Sequence, residues 1–273
     1  MSPPLFAILY MITPQNRLLE LGLSSPIRVP HCLSDCTNCR NYERLVRHQP
    51  LHAGVFEAKR VLTGDGFERT FQINVLSPYL LTGMLMPRIA ATAAAGGTGE
   101  ADVRVLNVTS ISQSPGVEWD NLHAQKSFTS HGSYCHSKTC MRVFSFELHE
   151  RMQRAAAKET SGEQMRSASS ELAAAGAAAL GQVVVLTCDP GTVNTKMLLA
   201  GWGPCGVETF QANDQFSLLT APRFRDEDAR GGYYVNLHMK QRPKPRAAHD
   251  AVVEEREQLW GILEQMTGFE YTF

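Results

Sequence analysis

Two aliphatic runs constrain this chain more than any other feature. Val103-Arg104-Val105-Leu106-Asn107-Val108 stops at Thr109-Ser110, and Val183-Val184-Val185-Leu186-Thr187 stops at Asp189-Pro190-Gly191. A β-branched run closed by a polar or Pro-Gly turn reads as a buried strand. Helical spacing surrounds them. Gly66–Ala95 carries Phe67, Phe71, Ile73, Val75, Leu80, Leu81, Leu85 and Ile89, with Thr63-Gly64-Asp65-Gly66 as its start signal. Pro78 is expected to kink that helix, because it removes a donor and clashes with the preceding turn. Ser112–Ser130 is loop-like, and a further helix follows through Met141, Val143, Phe144 and Leu148. Tyr233–Leu237 gives a last short strand, Gln241–Arg246 a Pro/Arg-rich loop, and Ala251–Met266 a closing amphipathic helix. Strands that alternate with helices imply an α/β fold built on a parallel sheet.

The first fifty residues carry neither a strand period nor a helix period beyond a turn or two. Residues 1–50 are therefore expected to be a weakly specified segment, and 51–273 the α/β domain. Residues 151–181 are Ala-rich with few large apolar side chains, and read as a protruding helix or flexible insertion within that domain. Within the first fifty, His31, Cys32, Cys36, Cys39 and His48 have residue types that bind zinc or iron–sulfur centres. Nothing downstream supports that chemistry, so the cysteines are read as incidental and no metal is assigned. With 26 basic and 27 acidic residues the net charge is −1, which gives no electrostatic reason to expect nucleic acid or an anionic membrane. Seven scattered cysteines suit reduced thiols, and the apolar run Leu5–Ile12 is too short to span a bilayer. A soluble cytoplasmic protein is the expectation.

The chemistry-bearing pattern is Tyr134-x-x-x-Lys138. On a helix these side chains share one face, and a nearby ammonium favours the ionised phenol, so Lys138 is expected to lower the pKa of Tyr134. Three other features fall in order around the pair. Asn74 lies in the preceding helix, Ser110 follows one strand, and Pro190-Gly191-Thr192-Val193-Asn194-Thr195 follows another. In open α/β sheets ligands bind at the carboxyl ends of strands, so Ser110 and the Pro190 loop should line one crevice. A hydroxyl beside an activated phenol can hold a carbonyl or alcohol oxygen while the phenol moves its proton. His123, His131 and His136 are read as loop or solvated residues rather than ligands. Cys135 and Cys140 are read as small packing residues.

From about Ala53 to Trp260 the arrangement resembles the short-chain dehydrogenase/reductase family, in its retinol-dehydrogenase-like branch. The resemblance implies a Rossmann-like doubly wound sheet. It implies Tyr134 as proton donor or acceptor, with Lys138 lowering its pKa and binding the nicotinamide ribose. Ser110 would orient the substrate oxygen, and Asn74, in Phe71-Gln72-Ile73-Asn74-Val75, would hold the water of a proton relay. Pro190 and Gly191 open the family's P-G-x-V-x-T segment, whose Val193 and Thr195 would meet the carboxamide. Ala53 and Gly54, in His52-Ala53-Gly54-Val55, resemble the tail of its N-N-A-G element. The cofactor implied is NAD(P), with NADP slightly favoured. The substrate implied is a small apolar alcohol, aldehyde or ketone. A homodimer through the helices bearing Asn74 and Tyr134 is also implied.

The pattern breaks before Gly54. No T-G-x-x-x-G-x-G or G-x-G-x-x-G occurs there, although a dinucleotide fold uses such a turn to bring backbone N–H groups onto the pyrophosphate. The segment also lacks a recognisable strand leading into His52-Ala53-Gly54. The sheet is thus expected to be N-terminally incomplete, and cofactor binding weak or absent. Two functions remain open: an oxidoreductase with its catalytic half intact, or a non-catalytic relative that acts as an interaction partner.

Overall fold

The computed structural model describes residues 8–12, 18–22 and 48–51 by backbone, and 54–95, 103–160, 177–244 and 251–273 more fully. The cysteines and histidines weighed as metal ligands in the first fifty residues, and Ala53, lie outside the described side chains. The strands are β1 (Ile8–Ile12), β2 (Leu18–Gly22), β3 (His48–Leu51), β4 (Arg104–Val108), β5 (Val184–Asp189), β6 (Tyr233–Val235) and β7 (His238–Gln241). β1 and β2 pair antiparallel as a two-stranded sheet. The other five form one sheet in the order β3-β4-β5-β6-β7, parallel except for the last pair.

The sheet is covered on both faces, so β4 and β5 are buried along their whole length and their aliphatic residues do not alternate with exposed ones. Val105 and Val185 face a core built with Phe71, Tyr79, Met141, Phe144, Leu259 and Trp260. Leu106, Val108, Val184, Leu186 and Cys188 face a second core with Leu218, Leu219, Phe224 and Tyr234. The helices around them are α1 (Arg69–Phe71), α2 (Ser77–Ala95), α3 (Ser130–Thr160), α4 (Lys196–Trp202), α5 (Asp214–Thr220) and α6 (Ala251–Thr267). Trp260 of α6 stacks on Phe144 of α3 and meets Tyr79 of α2 edge-on. None of the described helices is long and apolar enough to cross a membrane.

Four expectations are corrected. A strand does lead into His52: β3 runs parallel to β4, with Pro50 opposite Leu106. His-Gln-Pro-Leu has little strand propensity, and a sheet-edge position is where proline is tolerated. The first long helix begins later than its start signal. Thr63–Gly66 closes a turn, with the Gly66 N–H donating to Thr63 at 3.0 Å, and Glu68 caps α1 by accepting from the Thr70 and Phe71 N–H groups. Residues 151–155 belong to the packed part of α3. Met152 is four residues beyond Leu148, so it continues the buried face, and Ala155 packs beside it. Finally, Tyr233–Leu237 is not one strand: Asn236 and Leu237 take positive φ (51° and 59°) and turn the chain into β7.

The kink expected at Pro78 takes a particular form. Gln72–Leu76 is a π-helical turn joining α1 to α2, and the Ser77 N–H reaches back five residues to the Gln72 carbonyl. The residue four beyond Asn74 is Pro78, which has no N–H, so the Asn74 carbonyl lacks its ordinary α-helical donor.

Candidate active site

Parallel pairing of β4 with β5 brings their carboxyl ends side by side, and the segments that leave them are stitched together. The Thr109 N–H and its hydroxyl both donate to the Cys188 carbonyl, at 2.7 and 3.0 Å. The Tyr233 hydroxyl donates to the Ser110 carbonyl at 3.1 Å. Asp189, the last residue of β5, accepts N–H groups from Ile111 and Gly191, one from each loop. Pro190, Gly191 (φ 75°) and Ser110 therefore meet at one rim, as the strand order requires.

α3 delivers the tyrosine and lysine to that rim. Its first turn is capped by Thr129, whose hydroxyl accepts from the Gly132 N–H at 2.9 Å. Lys138 is buried beneath the site, and its ammonium donates to the Val108 carbonyl at 3.1 Å while lying 5.5 Å from the centre of the Tyr134 ring. Burial pulls its pKa down to about 8. Tyr134 is buried, and its pKa is pushed up to about 12, mainly by desolvation, while a hydrogen bond with the Ser110 side chain acts in the opposite direction. The expectation that Lys138 lowers the phenol's pKa is thus corrected for the unliganded chain. The ammonium is engaged with a backbone carbonyl beside the ring, and the cost of burying a phenolate dominates.

Asn74 reaches the same place from the π-helical turn. Its Oδ1 accepts from the Val55 N–H at 2.8 Å, and its Nδ2 donates to the Val55 carbonyl at 3.1 Å and to the Ser137 hydroxyl at 2.9 Å. The Ser137 hydroxyl in turn donates to the Tyr134 carbonyl at 2.7 Å. Both ends of the Asn74 amide are thus engaged in holding the chain. Gly54 lies against the lysine: a Cβ there would stand 3.5 Å from the Lys138 ammonium and 3.9 Å from Asn74 Oδ1.

The Pro190 segment joins the rim less directly. Val193 is buried and bridges to Val207, while the Thr195 hydroxyl accepts from the Leu198 N–H at 3.3 Å as the cap of α4. Sequence reasoning also missed Asp189, Ser137 and Phe56. An acidic residue at a strand end reads as a turn former, and Phe56 lies in a stretch without periodicity. The solvated reading of His136 is corrected: it is buried, and its Nε2 accepts from the Glu118 N–H at 3.0 Å. Cys135 and Cys140 are buried and free, as packing residues would be.

No protein-family model matches the chain. Over 129 residues it is 33 % identical to human retinol dehydrogenase 12, an alignment that covers 44 % of this chain and 38 % of that protein. Human polyprenol dehydrogenase is 24 % identical over 276 residues, covering 93 % of this chain and 73 % of that protein. Across the aligned stretches the chain is similar to retinol and polyprenol dehydrogenases, a likeness consistent with the retinol-dehydrogenase-like branch of the short-chain dehydrogenases/reductases. Alignments to the first curated short-chain dehydrogenases matched span only 29–40 % of those proteins' own lengths. A solved structure of an uncharacterized protein from Mycobacterium paratuberculosis superposes with a TM-score of 0.51 at 21 % identity, over 88 % of this chain and 74 % of that one, and supports the α/β fold alone.

Proposed function

We propose that this chain carries the proton-handling half of an NAD(P)-linked oxidoreductase that interconverts an apolar alcohol with its aldehyde or ketone. The observation that carries the reading is the convergence of the Tyr134 phenol, the Ser110 hydroxyl and the buried Lys138 ammonium at the carboxyl ends of β4 and β5. The names of the relatives, retinol and polyprenol dehydrogenases, support an alcohol of apolar character.

The nicotinamide end of a dinucleotide fits the residues present. Gly54 leaves open the space beside the Lys138 ammonium that a Cβ would occupy. Lys138 and Tyr134 would hold the ribose, with Gly54, Gly191 and the Pro190 loop around the ring. Val193 and Thr195 would join them at the carboxamide. No T-G-x-x-x-G-x-G or G-x-G-x-x-G turn stands between Met1 and Gly54, so these residues give the pyrophosphate no such cradle and the affinity measured on them is expected to be weak. Bound there, the nicotinamide would supply or accept the hydride.

The chain's own residues handle the proton. The Ser110 and Tyr134 hydroxyls would donate to the substrate oxygen. In the reducing direction Tyr134 releases its proton from Oη as negative charge develops on that oxygen. A phenol with a pKa near 12 is fully protonated at neutral pH, so it is ready as an acid and a poor base. Carbonyl reduction is accordingly the favoured direction near neutrality. The Asn74 backbone carbonyl, to which Pro78 offers no N–H, would hold a water that restores the proton.

Titration of NADPH and NADH, followed by cofactor fluorescence, tests the binding half of the reading; sub-micromolar affinity contradicts the expected weakness. At saturating NADPH, reduction of a long-chain aldehyde that is abolished by Tyr134→Phe supports the catalytic half. Binding without turnover favours the second reading, an interaction protein derived from an oxidoreductase, which rests on the missing glycine-rich turn.

A further inference from the structure

Three aromatic rings form a row from the buried phenol to the surface. The Phe56 ring lies 5.7 Å from that of Tyr134, tilted by 56°, and 4.4 Å from that of Trp202, edge-on at 64°. Tyr134 is buried, Phe56 is half-buried, and Trp202 is 48 % exposed. The outer two rings come from opposite sides of the crevice. Phe56 follows β3, whereas Trp202 ends α4, beyond β5. Their contact therefore crosses the mouth of the cleft in which Tyr134 sits. Leu199, on the same short helix, adds another exposed apolar side chain at the outer end.

The two sides are held unequally. The residue before Phe56 is fixed through both its N–H and its carbonyl by the Asn74 amide. Trp202 is the last residue of a seven-residue helix that ends at Gly203 with φ 74°. Trp202 is thus the ring free to yield, while Phe56 stays beside the tyrosine.

We propose that Phe56 is a specificity-determining residue, which admits slender apolar alcohols and aldehydes to Tyr134 by letting their chain replace Trp202 against its ring. The proposal rests on the oxidoreductase reading for the reaction, but its binding step does not. A hydrocarbon chain recovers the dispersion and desolvation lost when the edge contact opens. A short polar substrate covers neither ring and gains nothing by parting them.

The kinetic test compares kcat/KM for dodecanal and butanal with NADPH in the wild type, Phe56→Ala and the bulkier Phe56→Leu. The ratio of long to short substrate is expected to fall at least about tenfold in Phe56→Ala and by less in Phe56→Leu, chiefly through KM for dodecanal. A ratio unchanged in both variants overturns the proposal. Phe56→Leu alone decides the matter if the alanine variant does not fold. The second readout needs neither cofactor nor turnover. Dodecanol is titrated against the Trp202 fluorescence, taken as the difference between wild type and Trp202→Phe. A saturable change with dodecanol, absent with butanol and weakened about tenfold in Phe56→Leu, is expected. That response in a chain with no turnover means that the oxidoreductase reading fails and the apolar-chain site stands. Turnover of dodecanal with no Trp202 response to dodecanol overturns the proposal and leaves the oxidoreductase reading in place.

Discussion

Asn74 and Val55 face each other amide to amide, so that one side chain satisfies both backbone groups of a residue nineteen positions earlier. Asn74→Ala leaves that N–H and carbonyl, together with the Ser137 hydroxyl, without this partner. A loss of about 2–3 kcal/mol is expected, because unpaired buried polar groups keep their desolvation cost. Urea unfolding measures it. Asn74→Asp keeps the acceptor but loses the donor, and should lie between alanine and wild type.

Tyr134 should remain a phenol throughout the neutral range. The difference in near-ultraviolet tyrosinate absorbance between wild type and Tyr134→Phe is expected to stay flat to about pH 10. If the oxidoreductase reading holds, alcohol oxidation should keep rising with pH over the same range, since each step upward enlarges the phenolate fraction. A plateau near pH 7 in either experiment contradicts the burial argument.

Asp189 ties the Ser110 loop to the Gly191 turn through one carboxylate. Asp189→Ala strands two backbone N–H groups and should cost about 1–3 kcal/mol. Asp189→Asn retains one acceptor and should cost less. The same carboxylate raises the pKa values of both Tyr134 and Lys138, so both should fall in the asparagine variant. Tyrosinate difference absorbance reads the first of these. A Tyr134 titration unmoved by Asp189→Asn would separate the carboxylate from the site.

Three buried or half-buried histidines should make the fold sensitive to mild acid. Burial lowers the pKa values of His123 and His136, and burial with nearby arginines brings that of His149 down to about 4. Below the unfolded histidine value of about 6.5 the unfolded chain takes up protons that the folded chain does not. Their contribution is complete above that value and declines as pH falls toward the folded values. For His149 the loss should reach about 1 kcal/mol by about pH 5.5. Urea midpoints at several pH values should show the slope, and His149→Gln should flatten it.

Gly231 precedes β6 with φ 71°, and a Cβ there would meet the His149 ring at 2.6 Å. Its N–H also donates to Val185. Gly231→Ala combines backbone strain with a clash against a ring packed on the sheet, so a loss above about 2 kcal/mol is expected. Pairing it with His149→Ala should recover part of that loss in thermal unfolding, because the side-chain clash disappears and the strain remains.

The parts of the fold legible in the sequence are those where local pattern and burial agree. β4 and β5 are apolar because both their faces are covered, and α3 keeps its apolar spacing beyond Leu148. β3 was hidden because a proline and two polar residues acquire strand geometry only by pairing with β4. The turn at Asn236-Leu237 was hidden because leucine offers no sign of positive φ. At the candidate site the residue types of Tyr134, Lys138, Ser110 and Asn74 could be read, but their electrostatics could not. Whether a lysine lowers a phenol's pKa depends on where its ammonium points, and here it points to Val108. Phe56 and Asp189 escaped for the same reason, since each acts through a neighbour distant in sequence.

The π-helical turn at Gln72–Leu76 gives the chain an unusual relation to deletion. Removing one residue from an ordinary helix damages it, but here the loss would produce a more regular one. A π turn takes up one extra residue while the helix on either side keeps its phase, so the cut would leave α1 and α2 in line and change only what the turn itself presents. Asn74 would swing away from Val55 while Tyr79 kept its place against Trp260. The extra residue in that turn therefore serves the aim of one side chain rather than the course of the helix. A better helix at this point would be a worse protein.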